Sequence, residues 1–444
     1  MIYLNRIVPV AAPYCIEQKD AISWLMKALQ RTAEGQGESA TRHGRALQLY
    51  ERFLSNGSIG CRRSVLSDYN HTDWNSMVLF KDDRRVDGTA TPWMSPPLEK
   101  RMHLFAQEAM IMARAAFAES SVAPSYLIEV SCTGYDAPYT AQKLLLEKGW
   151  QNQTRLLKLG HMGCYASVPA LNLAAELLRS QSTGERPATG ERAAEDERAA
   201  TNERAATNEL AAQYGGSSHN ERPSHNERPS HNERHAQYVR PAQNTRQSGI
   251  DRPVSIFSVE FCSLHLAPTA TEADQIVANI LFADGAARLD LSHSRSPQSL
   301  AFLDHAETLI PESADCMTWT PGDSHFRMVL SKKVGLKIRD VLRDQVSQFL
   351  DRHGLRIQDI DRFAVHPGGP LIIETVQKTL ALDDEAVRHS KAILQQYGNM
   401  SSSTLPHIWA SMQADARVKA GERIVSLAFG PGLTLMMNLL AKDI

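Results

Sequence analysis

The chain alternates between segments whose apolar residues follow the two-residue period of a strand and segments whose apolar residues follow the helical period. Short runs rich in β-branched and aromatic residues predict strands at residues 126–131, 257–264, 363–365 and 424–429. Longer amphipathic runs predict helices at residues 98–118, 334–352 and 385–396. Strands that alternate with helices in this way predict an α/β fold.

Residues 181–250 break this pattern, because they contain almost no large apolar residue. They consist mainly of two tracts with a six-residue period, which read ERAATN and SHNERP. This period matches neither the helical nor the coiled-coil repeat, and each SHNERP unit contains a proline, so we expect no packed core. We interpret the segment as a disordered insertion. The alternative is a metal-binding or partner-binding tract that uses its histidines, His219, His225, His231 and His235.

The overall charge argues against two classes of partner. The 444 residues include 48 basic and 50 acidic side chains, a formal net charge of −2, so no global positive field would attract nucleic acid or an anionic membrane. The N-terminal segment MIYLNRIVPVAAPY lacks the pattern of a secretory signal, and no apolar run approaches the roughly 18 residues of a membrane-spanning helix. We therefore expect a soluble cytoplasmic protein that binds neither nucleic acid nor membrane.

The cysteines are widely spaced and form no CxxC pair. This spacing favours reduced thiols over a disulfide framework or a zinc site, and we expect no metal. The six residues are Cys15, Cys61, Cys132, Cys164, Cys262 and Cys316.

Three loops contain residues suited to catalysis. Cys164 lies at the start of a helical pattern, where free amide groups and the helix dipole favour a thiolate, although an interior cysteine is by itself more often a core residue. His366 lies in a rigid HPGGP turn after a strand, and the residues alone favour a structural and a functional role equally. Asn399 in YGNMSS is either a turn residue or an amide donor to an oxyanion.

Together the loops resemble the type III polyketide synthase family, also called chalcone and stilbene synthases, within the thiolase superfamily. The resemblance rests on GCYASVPAL at residues 163–171, AVHPGGP at 364–370, YGNMSS at 397–402 and FGPGLT at 429–434. It covers most of the chain apart from the insertion. It implies a homodimer and a five-layered α/β/α/β/α fold of two similar halves, residues 1–295 with the cysteine and residues 296–444 with the histidine and asparagine.

The resemblance also implies a mechanism. Cys164 matches the nucleophile that accepts a starter acyl group from coenzyme A. His366 and Asn399 match the pair that assists decarboxylation of malonyl-CoA and stabilises the enolate. The imidazole is also expected to hold the Cys164 thiolate as an ion pair. Acyl-CoA and malonyl-CoA are substrates, and no cofactor is required.

Several further residues match positions around the family's substrate. Two phenylalanines match a gate, two cysteines and the FGPGLT loop match the cavity wall, and one arginine matches a contact to the coenzyme A phosphates. Neighbouring basic positions of the family are Leu49 and Asn56 here, so an acyl carrier protein is an alternative donor. These matches are Phe282, Phe326, Cys132, Cys262, Gly430, Pro431 and Arg52.

A pocket with Cys132 and Cys262 is less suited to hydrogen-bonding a hydroxylated aromatic starter than one with threonines. The sequence therefore favours a fatty-acyl starter and an alkylpyrone or alkylresorcinol product. A ketoacyl-ACP synthase III-type enzyme, which condenses once, is the nearest alternative. A papain-like cysteine hydrolase and an inactive scaffold are further alternatives. The sequence around Cys164 lacks the papain signature C-G-S-C-W, which disfavours the hydrolase, and the intact set of Cys164, His366 and Asn399 disfavours the scaffold.

Overall fold

The computed structural model describes residues 1–33, 40–54, 57–81, 95–182 and 252–443. The α-helices within these ranges are α1 Gln18–Ala33, α2 Ala40–Leu54, α3 Leu98–Ala116, α4 Thr140–Lys148, α5 Ser167–Ser182, α6 Ala273–Leu281, α7 Val334–Asp351, α8 Pro370–Leu380, α9 Arg388–Tyr397 and α10 Thr404–Ala414. The strands are β1 Ile2–Ala11, β2 Tyr14–Glu17, β3 Cys61–Ser64, β4 Tyr126–Ser131, β5 Arg155–Gly160, β6 Val254–Phe261, β7 Asp284–Ser292, β8 Leu300–Leu309, β9 Met317–Pro321, β10 Phe326–Leu330, β11 Arg362–Val365, β12 Arg423–Gly430 and β13 Thr434–Lys442.

Most of the predicted elements are confirmed to within a few residues. The strand predicted at 126–131 is β4, and the helix predicted at 98–118 ends at Ala116. The strand predicted at 257–264 is wrong beyond Phe261, where Cys262–His265 form a short 3₁₀ helix. The ladder stops there because the amide of Ser263 donates to a carboxylate oxygen of Asp284 at 2.8 Å instead of to a strand. The predicted insertion lies almost entirely outside the described residues.

The central sheet has nine strands in the order β11-β12-β13-β8-β1-β7-β6-β4-β5. Its two sides repeat one pattern. A parallel pair (β4 with β6, β11 with β12) is followed by two antiparallel pairings (β6-β7-β1, β12-β13-β8). The sides meet where Ile2–Leu4 of β1 pair with Leu300–Phe302 of β8. This repetition is the thiolase-like arrangement, and the division at residues 295/296 stays a prediction.

Two helices, α5 and α10, pack between the two sides of the sheet. Leu171 of α5 and Trp409 of α10 belong to a core that also contains Ile128 of β4 and Ile424 of β12. Successive residues of a strand face opposite sides of the sheet. Leu127, next to Ile128 on β4, therefore belongs to the other core, which lies beneath the outer helices. The layers therefore follow the α/β/α/β/α order. None of the described helices is long and apolar enough to cross a membrane.

A small two-stranded sheet corrects the prediction for the cysteines. Strands β2 and β3 pair antiparallel, and Cys15 forms a disulfide with Cys61 across them, with a Cα–Cα distance of 5.9 Å. The prediction that all six cysteines are reduced is wrong for this pair. The two residues are 46 positions apart, and only the pairing of the strands brings them together. The remaining four, Cys132, Cys164, Cys262 and Cys316, are free thiols.

Candidate active site

Cys164 lies in a turn between β5 and α5, three residues before the helix begins, which confirms its predicted position. The preceding Gly163 has a φ of 86°, a conformation that favours glycine. A side chain there would also collide with Pro431, whose Cδ lies 2.5 Å from the position of a Cβ. The Gly163 amide donates to the Cys132 sulfur at 2.9 Å. The turn is thus held between Pro431 on one side and Cys132 on the other.

His366 follows β11 directly and is 1% exposed. Its amide donates to the carbonyl of Leu427 at 2.8 Å, which extends the parallel β11–β12 pairing by one residue. Neither ring nitrogen has a hydrogen-bond partner among the described residues. Burial lowers the pKa of the imidazole to about 3, so the ring is neutral at physiological pH.

Asn399 is held by its backbone to the segment after α6. Its amide donates to the carbonyl of Leu281 at 3.0 Å, and its carbonyl accepts from the amide of Ala283 at 2.8 Å. The side-chain oxygen accepts from the amide of Ser401 at 2.9 Å. This bond orients the side chain, and Nδ2, which is buried, has no hydrogen-bond partner of good geometry among the described residues.

These three residues line one cavity. Cys164, His366 and Asn399 share it with apolar side chains, and it encloses about 460 Å³ of empty space, part of which is open to solvent. The structure therefore brings together three side chains that lie on separate loops of the sequence. The apolar lining residues are Ala278, Leu281, Phe282, Met317, Met328, Leu330, Ile372 and Phe429.

A second cavity, of about 380 Å³, adjoins the first at Cys164. The two cavities share Cys164, Phe282, Met317 and Met328 in their walls. Cys164 therefore lies where the two cavities adjoin, together with three side chains that line both of them.

The charge states favoured at this site differ from the expected resting ion pair of a Cys164 thiolate with the His366 ring. Burial raises the pKa of Cys164 to about 12, although the Ser401 and Asn399 side chains oppose this shift. The pKa of His366 moves in the opposite direction. Both shifts favour a neutral thiol beside a neutral imidazole, because desolvation outweighs the effect of the nearby helix start. The expected resting ion pair is thus corrected to a neutral pair.

Four of the residues predicted around the substrate lie where expected. Cys132, Cys262, Phe282 and Pro431 all line the second cavity, and Phe282 lines the first as well.

The other three predicted residues line neither cavity. Phe326 stacks on the His265 ring at 4.3 Å, and Met328, two residues further along β10, reaches both cavities instead. Gly430 packs against Tyr165, whose ring lies 2.0 Å from the position of a Cβ. Arg52 is exposed near the end of α2.

Sequence reasoning missed Glu260, a fully buried carboxylate at the end of β6. It accepts hydrogen bonds from the Cys132 amide and from the Thr133 hydroxyl at 2.8 Å. Burial raises its pKa to about 7. A single acidic residue inside an otherwise apolar strand is the signal that could have identified it.

No group of three or more His, Cys, Asp or Glu side chains suited to a metal ion occurs in the described part of the chain.

Residues 302–443 match the family model of the chalcone and stilbene synthases, C-terminal domain. A putative chalcone synthase of Bacillus subtilis is 30% identical over 197 residues, which are 43% of this chain and 54% of that protein. An α-pyrone synthesis polyketide synthase-like protein of Mycobacterium tuberculosis is 30% identical over 186 residues, which are 40% of this chain and 47% of that protein.

The 1,3,6,8-tetrahydroxynaphthalene synthase of Streptomyces coelicolor is 24% identical over 313 residues, which are 70% of this chain and 65% of that protein. Its crystal structure superposes with a TM-score of 0.69 at 20% identity and covers 100% of this chain and 99% of that chain. The sequence alignments thus span between 47% and 65% of these relatives, whereas the structural match covers 99% of the S. coelicolor chain.

Proposed function

We propose that the chain is a type III polyketide synthase, of the family that includes the chalcone and stilbene synthases, and that it loads an acyl group on Cys164 and extends it with malonyl-CoA. One observation carries the proposal. Among the described residues, the buried ring nitrogens of His366 have no hydrogen-bond partner and the buried Nδ2 of Asn399 has none of good geometry, and both side chains line the cavity that contains Cys164. Buried polar groups without partners are costly and therefore rare, so a bound substrate is their natural partner.

The first step is acyl transfer. His366 accepts the thiol proton, and the Cys164 sulfur attacks the carbonyl of the acyl-CoA. The bond to coenzyme A breaks, and the imidazolium returns its proton to the leaving thiolate. The neutral imidazole has a free nitrogen to accept this proton, and because the raised pKa of Cys164 makes a free thiolate costly, the proton transfer accompanies the attack on the acyl donor.

The second step forms the carbon–carbon bond. The bond between the malonyl α-carbon and its carboxylate breaks, CO₂ leaves, and the electron pair forms an enolate. Its oxygen accepts hydrogen bonds from Asn399 Nδ2 and the neutral His366 ring, neither of which protonates the carbanion. The α-carbon attacks the Cys164 thioester, releasing a β-ketoacyl-CoA and the Cys164 thiolate. The thiolate either attacks this product to begin another round or takes up a proton from solvent.

For the starter we propose a fatty acyl group, and for the product an alkylpyrone or alkylresorcinol. Support comes from the second cavity, whose wall includes Cys132, Cys262, Met317, Met328 and Trp319. Such a surface binds methylene groups well, and the hydroxyl groups in its wall are those of Thr133, which already donates to Glu260, and Ser401. The M. tuberculosis relative named for α-pyrone synthesis is consistent with this choice.

We propose that the enzyme is a homodimer in the cytoplasm, where coenzyme A thioesters are made. An acyl carrier protein is retained as an alternative donor. Support for a dimer comes from β5, an edge strand of the sheet with half-buried Leu156, Leu157 and Leu159. Such an edge can pair with a second copy.

Incubation of the purified protein with radiolabelled malonyl-CoA and acyl-CoAs of graded chain length tests the function. The expected products carry two or three malonyl-derived units, and Cys164→Ala should form none. Product formation by this variant would contradict the proposal. Products extended only once would favour a ketoacyl-ACP synthase III-type reaction, and consumption of aromatic starters alone would contradict the fatty-acyl choice.

A further inference from the structure

Arg62 is a buried arginine on β3 that holds backbone close to the active site. It is 6% exposed. Its Nη1 donates to the carbonyl of Asn279 and, at 3.2 Å, to the carbonyl of Phe282. Residue 279 lies in the last turn of α6, and residue 282 directly follows that helix. The guanidinium therefore binds carbonyl groups at the helix C-terminus, where a positive charge is favoured.

The backbone that Arg62 holds is also the backbone that holds Asn399. Phe282 and Asn399 form an isolated parallel bridge, made by the two hydrogen bonds that flank Phe282. Because this bridge sets the position of the Asn399 Cα, movement of residue 282 would also move the side-chain amide of Asn399, which faces the cavity.

Arg62 contacts the Asn399 segment a second time, through its aliphatic stem. Gly398 has a φ of 78°, and a Cβ there would lie 3.1 Å from Arg62 Cγ. Two nearby residues contact the same segment: the amide of Gly60, just before β3, donates to the carbonyl of Gln395 at 2.9 Å, and the guanidinium of Arg63 on β3 lies 5.7 Å from the centre of the Tyr397 ring. Arg62 is thus packed between the two chain segments that form the bridge.

We propose that Arg62 is a positioning residue for decarboxylation, which fixes Asn399 Nδ2 at the enolate by holding the Phe282–Asn399 bridge in place. Arg62 does not line either cavity, so it acts through Asn399 and not on the substrate. The inference rests on the proposed function, because it assigns Arg62 to the step in which the enolate forms.

Arg62→Met tests this directly, because methionine retains an apolar stem and removes the guanidinium. Release of CO₂ from malonyl-CoA, measured without a starter, should fall about tenfold to a hundredfold, the loss typical of a displacement of about 1 Å at a catalytic group. The loss should appear in kcat, with little change in KM. Alkylation of Cys164 by iodoacetamide should stay within about threefold of wild type. Arg62→Lys, which can reach one carbonyl, should restore part of kcat.

Arg101→Met is the matched control. Arg101 is also fully buried and donates to backbone carbonyls, those of Leu264 and Leu266, the latter at 3.1 Å. Burial lowers the pKa of both guanidinium groups to about 10. Loss of either should lower thermal stability, whereas only the loss of Arg62 should lower kcat per folded molecule by tenfold or more. Equal kcat losses in the two variants would overturn the inference.

A double-mutant cycle separates positioning from general damage. In an Asn399→Ala background, Arg62→Met should lower the remaining decarboxylation by less than about threefold, because the group it positions is already absent. A full additional loss in this background, or wild-type kcat in the single variant, would overturn the role of Arg62. If Arg62→Met does not fold, the same comparison is made with Arg62→Lys. Absence of CO₂ release by the wild type would instead contradict the proposed function.

Discussion

Replacement of Asn399 by alanine should separate catalysis from stability. The variant loses the acceptor of the hydrogen bond that the buried Ser401 amide donates at 2.9 Å, and leaving this amide without that partner costs about 1–3 kcal/mol. It also removes Nδ2, a buried donor without a partner of good geometry among the described residues, and this relieves a penalty of about 1–3 kcal/mol. The two effects oppose each other, so the free energy of unfolding should change by less than about 2 kcal/mol.

Activity should respond very differently. Loss of one preorganised donor to a developing oxyanion lowers kcat by about 10² to 10³-fold, or about 2.7–4 kcal/mol. Decarboxylation of malonyl-CoA by Asn399→Ala should therefore fall by at least a hundredfold. The rate is measured by CO₂ release, and stability by denaturant unfolding of the same preparations.

Asn438→Ala provides the control, since Asn438 is fully buried and donates to Asn172 at 2.6 Å without lining either cavity. It should lose stability and keep kcat within about twofold. The reasoning is refuted if Asn399→Ala loses more than about 3 kcal/mol of stability while its decarboxylation falls less than tenfold, because the asparagine would then be a structural turn residue.

The site and the small sheet lead to four other predictions. The alkylation rate of Cys164 should rise continuously from pH 6 to pH 10, because its raised pKa of about 12 keeps the thiol protonated over that range; a rate independent of pH would indicate a resting thiolate. Thiol titration of unreduced, denatured protein should find four thiols, not six. Cys15→Ser should lower the free energy of unfolding by up to about 4 kcal/mol, the loop-closure value for a separation of 46 residues, and equal stability under reducing and oxidising conditions would contradict the link to Cys61. Met328→Trp should shorten the longest acyl chain accepted in a product assay while Phe326→Leu leaves it unchanged, and the reverse result would return the gate to Phe326.

Local patterns were sufficient to select Cys164, His366 and Asn399 as candidates, because each lies in a short motif whose glycines and neighbouring helix are readable from adjacent residues, but a structural role stayed open for each of them. The α/β alternation could be predicted for the same reason, since strand and helix periods are local properties. The sequence could not show that the three side chains share a cavity without a resemblance to known proteins. Their approach depends on the pairing of β11 with β12 and on the Phe282–Asn399 bridge.

The tertiary structure alone decided which neighbours surround the nucleophile. Met328 and Phe326 lie on the same face of β10, but only Met328 lines the cavities that contain Cys164. Which of the two does so depends on where each residue lies along the strand. Burial, which depends on the complete packing, reversed the expected charge state of Cys164. The pairing of β2 with β3 brings Cys15 to Cys61. The fold also places Arg62 of β3 against the carbonyl of Phe282, the residue that is bridged to Asn399. Each of these features depends on residues far apart in the chain, so no local pattern could contain it.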